Sequence, residues 1–157
     1  MAIAIRPGRP EEATLLSELA LRSKGHWGYS ERLLESFRSE LTLTPSEILL
    51  RRTAVAELDG TVVGLVTIEG DPPAGELGML FVAPEAIGKG IGAELFRHAV
   101  HAARTASFEQ LVITSDPHAE PFYRTMGAHR IGSTESSSIP GRELPLMEIS
   151  THPPARH

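Results

Sequence analysis

Cysteine is missing altogether from the 157 residues. That excludes disulfides, thiolate zinc sites and a cysteine nucleophile, and it fits a reducing compartment, so the expected location is the cytoplasm. Long apolar runs are missing too. No stretch approaches the roughly 18 apolar residues that a membrane span needs, and the amino terminus, Met1 to Gly8, lacks the extended apolar core of a leader. Positive charge is in deficit, with a net charge of −5, which argues against nucleic acid as the main partner. Aromatic residues make up only 5%, so the gathering of His26, Trp27 and Tyr29 in one short segment stands out. Internal repeats, linkers and low-complexity blocks are absent as well. The chain reads as one domain over residues 1–150, large enough to bury roughly two-thirds of its unfolded surface. A tail over residues 151–157 has no core-forming residues and is expected to be mobile.

What is present is a succession of periods. Ala2 to Arg6 alternates weakly and predicts a strand at or near a sheet edge. Pro10, Glu11 and Glu12 are first-turn residues of a helix whose apolar face is Leu15, Leu16, Leu19 and Ala20, ending near Gly25. Ser30 can cap a second helix with Leu33, Leu34, Phe37 and Leu41 inward. Thr44-Pro45-Ser46-Glu47 is a capping box that starts a short helix over residues 45–50. The period then changes to two: residues 53–58 and 61–69 predict strands joined by Asp59-Gly60, a strong hairpin signal. A loop over 71–75 delivers a strand from Leu77 to Val82. A helix over 90–105, a strand over 110–115, a helix from Asp116 to Met126 and two strands at 128–135 and 143–150 complete an α/β order, βααβββαβαββ.

The stretch from Leu77 to Ala93 carries the chemistry. A buried strand closed by Pro84 leads through Gly88, Gly90 and Gly92 into the long helix. The first turn of a helix has peptide N–H groups without intrahelical partners and partial positive charge, so a phosphate can settle there if no side chain blocks it. Glycine removes the block, at a cost of roughly 1 kcal/mol per interior helix position. An ordinary flexible turn is the plainer reading. A P-loop would need Ser or Thr after Lys89, where Gly90 stands. A dinucleotide fingerprint is matched by Gly88, Gly90 and Ala93 with Asp116 downstream. The loop holding Pro84 and the short remainder of the chain after Asp116 argue against it.

Val82-Ala83-Pro84 followed by Gly90-Ile91-Gly92 resembles the motif by which the GNAT superfamily of N-acetyltransferases holds acetyl-CoA. Asp116 to Ala128, with Ala119, Tyr123 and Gly127, is similar to a second motif of that superfamily, in the right order and separation. The resemblance implies a central mixed, mostly antiparallel sheet of about seven strands flanked by helices, with the cofactor in a cleft between splayed strands. It implies acetyl-CoA as co-substrate, no metal, and transfer to a primary amine of a small molecule or peptide by direct attack while both substrates are bound. Leu80, Phe81, Val82, Gly88, Lys89, Gly90, Ile91, Gly92, Ala93, Asp116, Ala119, Phe122 and Tyr123 are the implied cofactor contacts. Ile87 stands where many relatives carry a glutamine or arginine.

That reaction asks for three things. An ammonium of pKa about 10.4 is neutral in roughly one molecule in 10³ at pH 7, so a base must take its proton. Glu76 is the candidate, at the offset before Val82 used by the histone-acetylating branch, and by strand alternation on one face with Gly78, Leu80 and Val82. Its plainer reading is a solvated strand residue, and the acid that many relatives carry at Gly78 is missing. A backbone N–H near Phe81 or Val82 would hold the carbonyl oxygen. Tyr123 would donate to the departing thiolate, or else simply pack against Phe122.

Asp116 before Pro117 reads as a helix cap rather than a pantetheine contact, and Lys89 either pairs with a phosphate or is solvated. On the acceptor side, His26, Trp27 and Tyr29 either cage a cation or anchor a loop. Arg142 either receives a carboxylate or is an exposed hairpin residue. His118 reads as surface, and no histidines fall at a metal-ligand spacing. Edge strands at the carboxyl end leave a homodimer open. A catalytically weak acyl-CoA-binding sensor is the second reading, permitted by Gly78 and Ile87, and a nicotinamide-dependent reductase a distant third.

Overall fold

The period-two stretches pair into one sheet of seven strands, and the computed structural model describes residues 2–152. In chain order these are β1 (Ile3–Pro7), β2 (Ala54–Leu58), β3 (Thr61–Glu69), β4 (Ala74–Val82), β5 (Gln110–Thr114), β6 (His129–Glu135) and β7 (Glu143–Ser150). Their spatial order is β1-β2-β3-β4-β5-β7-β6. All neighbours are antiparallel except β4 and β5. Asp59 and Gly60 make the β2–β3 turn with φ of 50° and 86°, the left-handed pair that a two-residue hairpin needs.

The helices are α1 (Ala13–Gly25), α2 (Glu31–Leu41), α3 (Pro45–Leu50), α4 (Ile91–Thr105) and α5 (Glu120–Thr125). Two expected caps form: the Ser30 side chain accepts from the Leu33 N–H, and Thr44 and Glu47 close a reciprocal capping box. Helix α4 buries Ile91, Leu95, Phe96, Ala99 and Ala103 against β2, β3 and β4. Helix α1 packs on β3 and β4 through Leu16, Leu19 and Ala20, with α2 behind it. Gly64 fits because α4 comes so close: a Cβ there would stand 2.8 Å from Leu95 and 3.1 Å from the Phe81 carbonyl oxygen.

Four expectations are corrected. Leu15 is 52% exposed and lies outside the apolar face of α1. Strand β4 starts at Ala74, ahead of Leu77, because its first residues pair with β5. Asp116 does not cap a helix: α5 begins only at Glu120, with Ala119 in the cap position. Thr151 is buried and belongs with the core, its N–H donating to the Glu109 carbonyl and its hydroxyl to that of Phe108 at 2.7 Å. The rest of the expected tail, residues 153–157, lies outside the described residues.

The feature that makes a site is the parallel pair. β4 and β5 are bonded only at Ala74, Gly75 and Glu76 against Gln110, Leu111 and Val112. From Leu77 onward they diverge, so one edge of β4 faces open space with backbone groups that no strand takes.

Candidate active site

A cleft of about 730 Å³ opens where β4 and β5 separate. It is lined by Leu77 to Val82 of β4, by the loop and first turn of α4, by the end of β5 and α5, and by the α1–α2 side with the β6–β7 loop. Such a volume suits an extended organic ligand.

At one end lies the glycine loop. Gly88 and Gly90 have φ of 87° and 79°, the left-handed region that glycine enters without steric cost. Gly90 is the cap residue of α4 and gives it no side-chain cap. Among the described residues, no backbone or side-chain acceptor takes the amides of 88 to 93. Bare N–H groups at the start of a 15-residue helix form an anion site by their own dipoles. The glycines leave room for a diphosphate, so the residues present fit coenzyme A. Lys89 is exposed beside the loop and Ile87 is 46% exposed, giving no charge of its own.

Tyr123 lines the cleft from α5, 6% exposed, among the rings of Phe96 and Phe122 at 5.9 and 5.2 Å. Among the described residues nothing hydrogen-bonds its hydroxyl. Burial, with a smaller push from the Asp116 carboxylate, raises its pKa well above the usual value for a phenol. It therefore keeps its proton at neutral pH and is able to donate a hydrogen bond.

Asp116 holds the other end together. Lys24 Nζ and the Tyr29 hydroxyl each donate to its Oδ2 at 2.8 Å, Arg142 Nη2 reaches the same oxygen at 3.3 Å, and the His118 N–H donates to Oδ1 at 2.9 Å. Burial on its own would lift the carboxyl, but these donors, Lys24 foremost, outweigh it and hold the pKa at about 2. The carboxylate thus ties the end of α1, the α1–α2 connector and the β6–β7 loop, which the sequence reading of a helix cap did not foresee. Arg142 is engaged accordingly: it bonds Asp116 and the Tyr29 hydroxyl and lies over the Tyr29 ring.

Most of the expected contacts do converge. Leu80, Phe81, Val82, Gly88, Gly90, Ile91, Gly92, Ala93, Asp116, Ala119, Phe122, Tyr123, Trp27 and Arg142 all line the cleft. His26, Tyr29, Lys89 and Glu76 are not among its lining residues. Tyr29 stands behind the wall, bonded to Asp116 and packed edge-on to Phe37, and His26 packs edge-on to Trp27. His118 is exposed, as expected, and it also lines the cleft with its ring stacked on Trp27, 5.2 Å away and nearly parallel. Lys24, Glu40, Met79 and Ser137 also line it. The hydroxyls of Ser137 and Ser138 both donate to the Glu40 carboxylate, joining α2 to the β6–β7 loop. No local pattern announces these partners, because they meet across more than ninety residues.

Glu76 is the clearest correction. Thr67 pairs with Met79 and Ile68 with Leu77, so β4 carries one extra residue, Gly78, at a bulge. Cross-strand partners share a face. Glu76 therefore sides with Glu69, Thr67, Met79 and Phe81, while Leu80 and Val82 side with Val66 and Gly64. Simple alternation fails there. Glu76 has its pKa raised, first by burial and then by the facing Glu69 carboxylate, against a lowering by Arg51.

The chain matches the acetyltransferase (GNAT) domain over residues 29–138. Among solved structures it is similar to the PaiA N-acetyltransferase from Thermoplasma acidophilum in complex with coenzyme A, at 22% identity over 96% of this chain and 99% of that one, TM-score 0.79. A GCN5-related N-acetyltransferase from Rhodopseudomonas palustris is similar at 23% identity, 96% of each chain and TM-score 0.78. A GNAT family acetyltransferase from Brucella melitensis in complex with acetyl-CoA is similar at 21% identity, 99% of this chain, 92% of that one and TM-score 0.65. Among curated proteins none matches.

Proposed function

The chain belongs to the GNAT acetyltransferase family, and from that premise we propose that it carries an acetyl group from acetyl-CoA to a primary amine of a small molecule or peptide, both bound at once. The observation that carries this reading is the row of unpartnered amides at 88 to 93 opening onto the same cleft as the unpartnered Tyr123 hydroxyl. The glycine loop would hold the diphosphate, with Lys89 beside it. The free edge of β4 from Leu77 to Val82 would take the pantetheine arm and, near Phe81 or Val82, the carbonyl oxygen.

Tyr123 would give a hydrogen bond to the departing thiolate. Transfer from an ordinary phenol of pKa about 10 to a thiolate of about 8.5 is already uphill by roughly 2 kcal/mol, and burial at Tyr123 makes it steeper. Donation without full transfer is the consistent role. The amine would enter from the side of Trp27, His118 and Met79, and its proton would leave toward the carboxylates on that face of β4, where Glu76 lies.

The test is steady release of free thiol from acetyl-CoA by the purified protein across a panel of polyamines, amino acids, aminoglycosides and peptides. Sustained release with any of them supports the reading. Acetyl-CoA binding without release across the whole panel overturns it in favour of an acyl-CoA sensor.

A further inference from the structure

Gly78 is the residue whose missing side chain carries the inference. A Cβ placed there would stand 1.7 Å from Glu69 Oε2, 2.5 Å from the carboxyl carbon and 3.0 Å from Thr67 Oγ1. The space beside the bulge is thus filled by a carboxylate that β3 delivers, and only glycine at 78 lets it lie there. The placement is supported on its own strand: the buried Thr67 hydroxyl donates to Glu69 Oε2 at 3.0 Å. Arg51 Nη1 stands 3.7 Å from the same oxygen and 3.9 Å from Met79 Sδ, while its Nη2 is held by Glu47. Gly78 and Met79 both line the cleft. Glu69 is therefore separated from it by a residue with no side chain.

Resting on the acetyltransferase reading, we infer that Glu69 is the group that receives the proton of the acceptor amine, across Gly78 and through one water. As the amine nitrogen bonds to the thioester carbon and the carbon–sulfur bond breaks, the N–H proton passes to the Glu69 carboxylate and the sulfur leaves as thiolate, hydrogen-bonded by Tyr123. The charged groups facing Glu69 are Glu76 from β4, directly opposite, and Arg51 with its partner Glu47 from α3 and its end. Arg51, in contact with both Glu69 and Glu47, keeps the cluster from carrying its negative charge unopposed.

The experiment is a pH–rate profile with one responsive amine, together with acetyl-CoA affinity by calorimetry, for wild type, Glu69→Gln, Glu76→Gln and Gly78→Ala. Glu69→Gln is expected to lower kcat about 10²- to 10³-fold and to remove the acidic limb, with acetyl-CoA affinity within a few-fold. Gly78→Ala keeps both carboxylates but displaces Glu69, and is expected to lower kcat at least about tenfold. Glu76→Gln is expected to keep the acidic limb, since the Glu69 carboxylate beside Gly78 is untouched. Retention of kcat and limb in Glu69→Gln overturns the inference, as does a limb abolished by Glu76→Gln alone, which would make Glu76 the base. A fall in kcat accompanied by lost acetyl-CoA affinity also overturns it, by showing a structural role. These outcomes leave acetyl transfer by the wild type intact; a wild type inert toward every amine overturns that reading itself.

Discussion

Tyr123 and Asp116 show how one residue type can be read from sequence in its chemistry but not in its company. Tyr123 was legible because the second motif places it, and the buried hydroxyl without a partner among the described residues accords with donation to sulfur. Tyr123→Phe is expected to lower kcat about 10- to 10³-fold with acetyl-CoA affinity within a few-fold; unchanged turnover would remove the hydroxyl from the mechanism. Asp116 was legible as a motif residue and as a helix cap before Pro117, not as a tie between distant segments. Its three side-chain partners come from α1, the α1–α2 connector and the β6–β7 loop, none of them near it in sequence. Because its folded pKa of about 2 lies below the ordinary 3.8, the stabilisation is complete above the ordinary value and is lost as pH falls toward 2. The depression corresponds to about 2 kcal/mol. Asp116→Asn should therefore destabilise the protein by that order at pH 7, and the difference should shrink toward pH 2. Urea denaturation at both pH values checks it, and an equal difference at both would show that charge is not the cause.

At the scale of the element, the loop–α4 unit was the most legible part of the chain. Glycine spacing, the preceding proline and the apolar period of the helix are all local signals, and the observed left-handed φ at Gly88 and Gly90 gives the physical reason for those residues. Gly90→Val puts a β-branched side chain at a φ it strongly disfavours and beside the amides meant for the diphosphate. Acetyl-CoA affinity is expected to fall at least about tenfold, on the order of 1.4 kcal/mol, while the fold persists; calorimetric titration with a circular-dichroism control measures both. Strand β4 was legible as a strand but not in its facing. The bulge at Gly78 arises from the register that β3 imposes, and a partner strand's register is invisible to alternation along one chain.

For the whole molecule, the cleft is a gap in the sheet itself, spanned at its base by the three-residue pairing of β4 with β5 and otherwise open. A ligand seated there would join the half-sheet bearing β1 to β4 with the half bearing β5 to β7. With free acetyl-CoA at about 100 times Kd, linkage adds about 2.7 kcal/mol to the folded state. For a domain of this size that corresponds to a rise in Tm on the order of 5 to 10 °C. A thermal melt with and without the cofactor tests it, and no shift at saturating acetyl-CoA would count against the cleft as its site. Strand and helix identities, the hairpin, the Ser30 and Thr44 caps and the glycine loop were determined by the sequence alone, because each depends on backbone preferences and periodicities within about a dozen neighbouring residues. The face on which Glu76 lies, that Asp116 is a tie rather than a cap, and that His118 lies on Trp27 were decided only by the tertiary structure. Those facts depend on strand register and on side chains meeting across long separations, where no local preference acts.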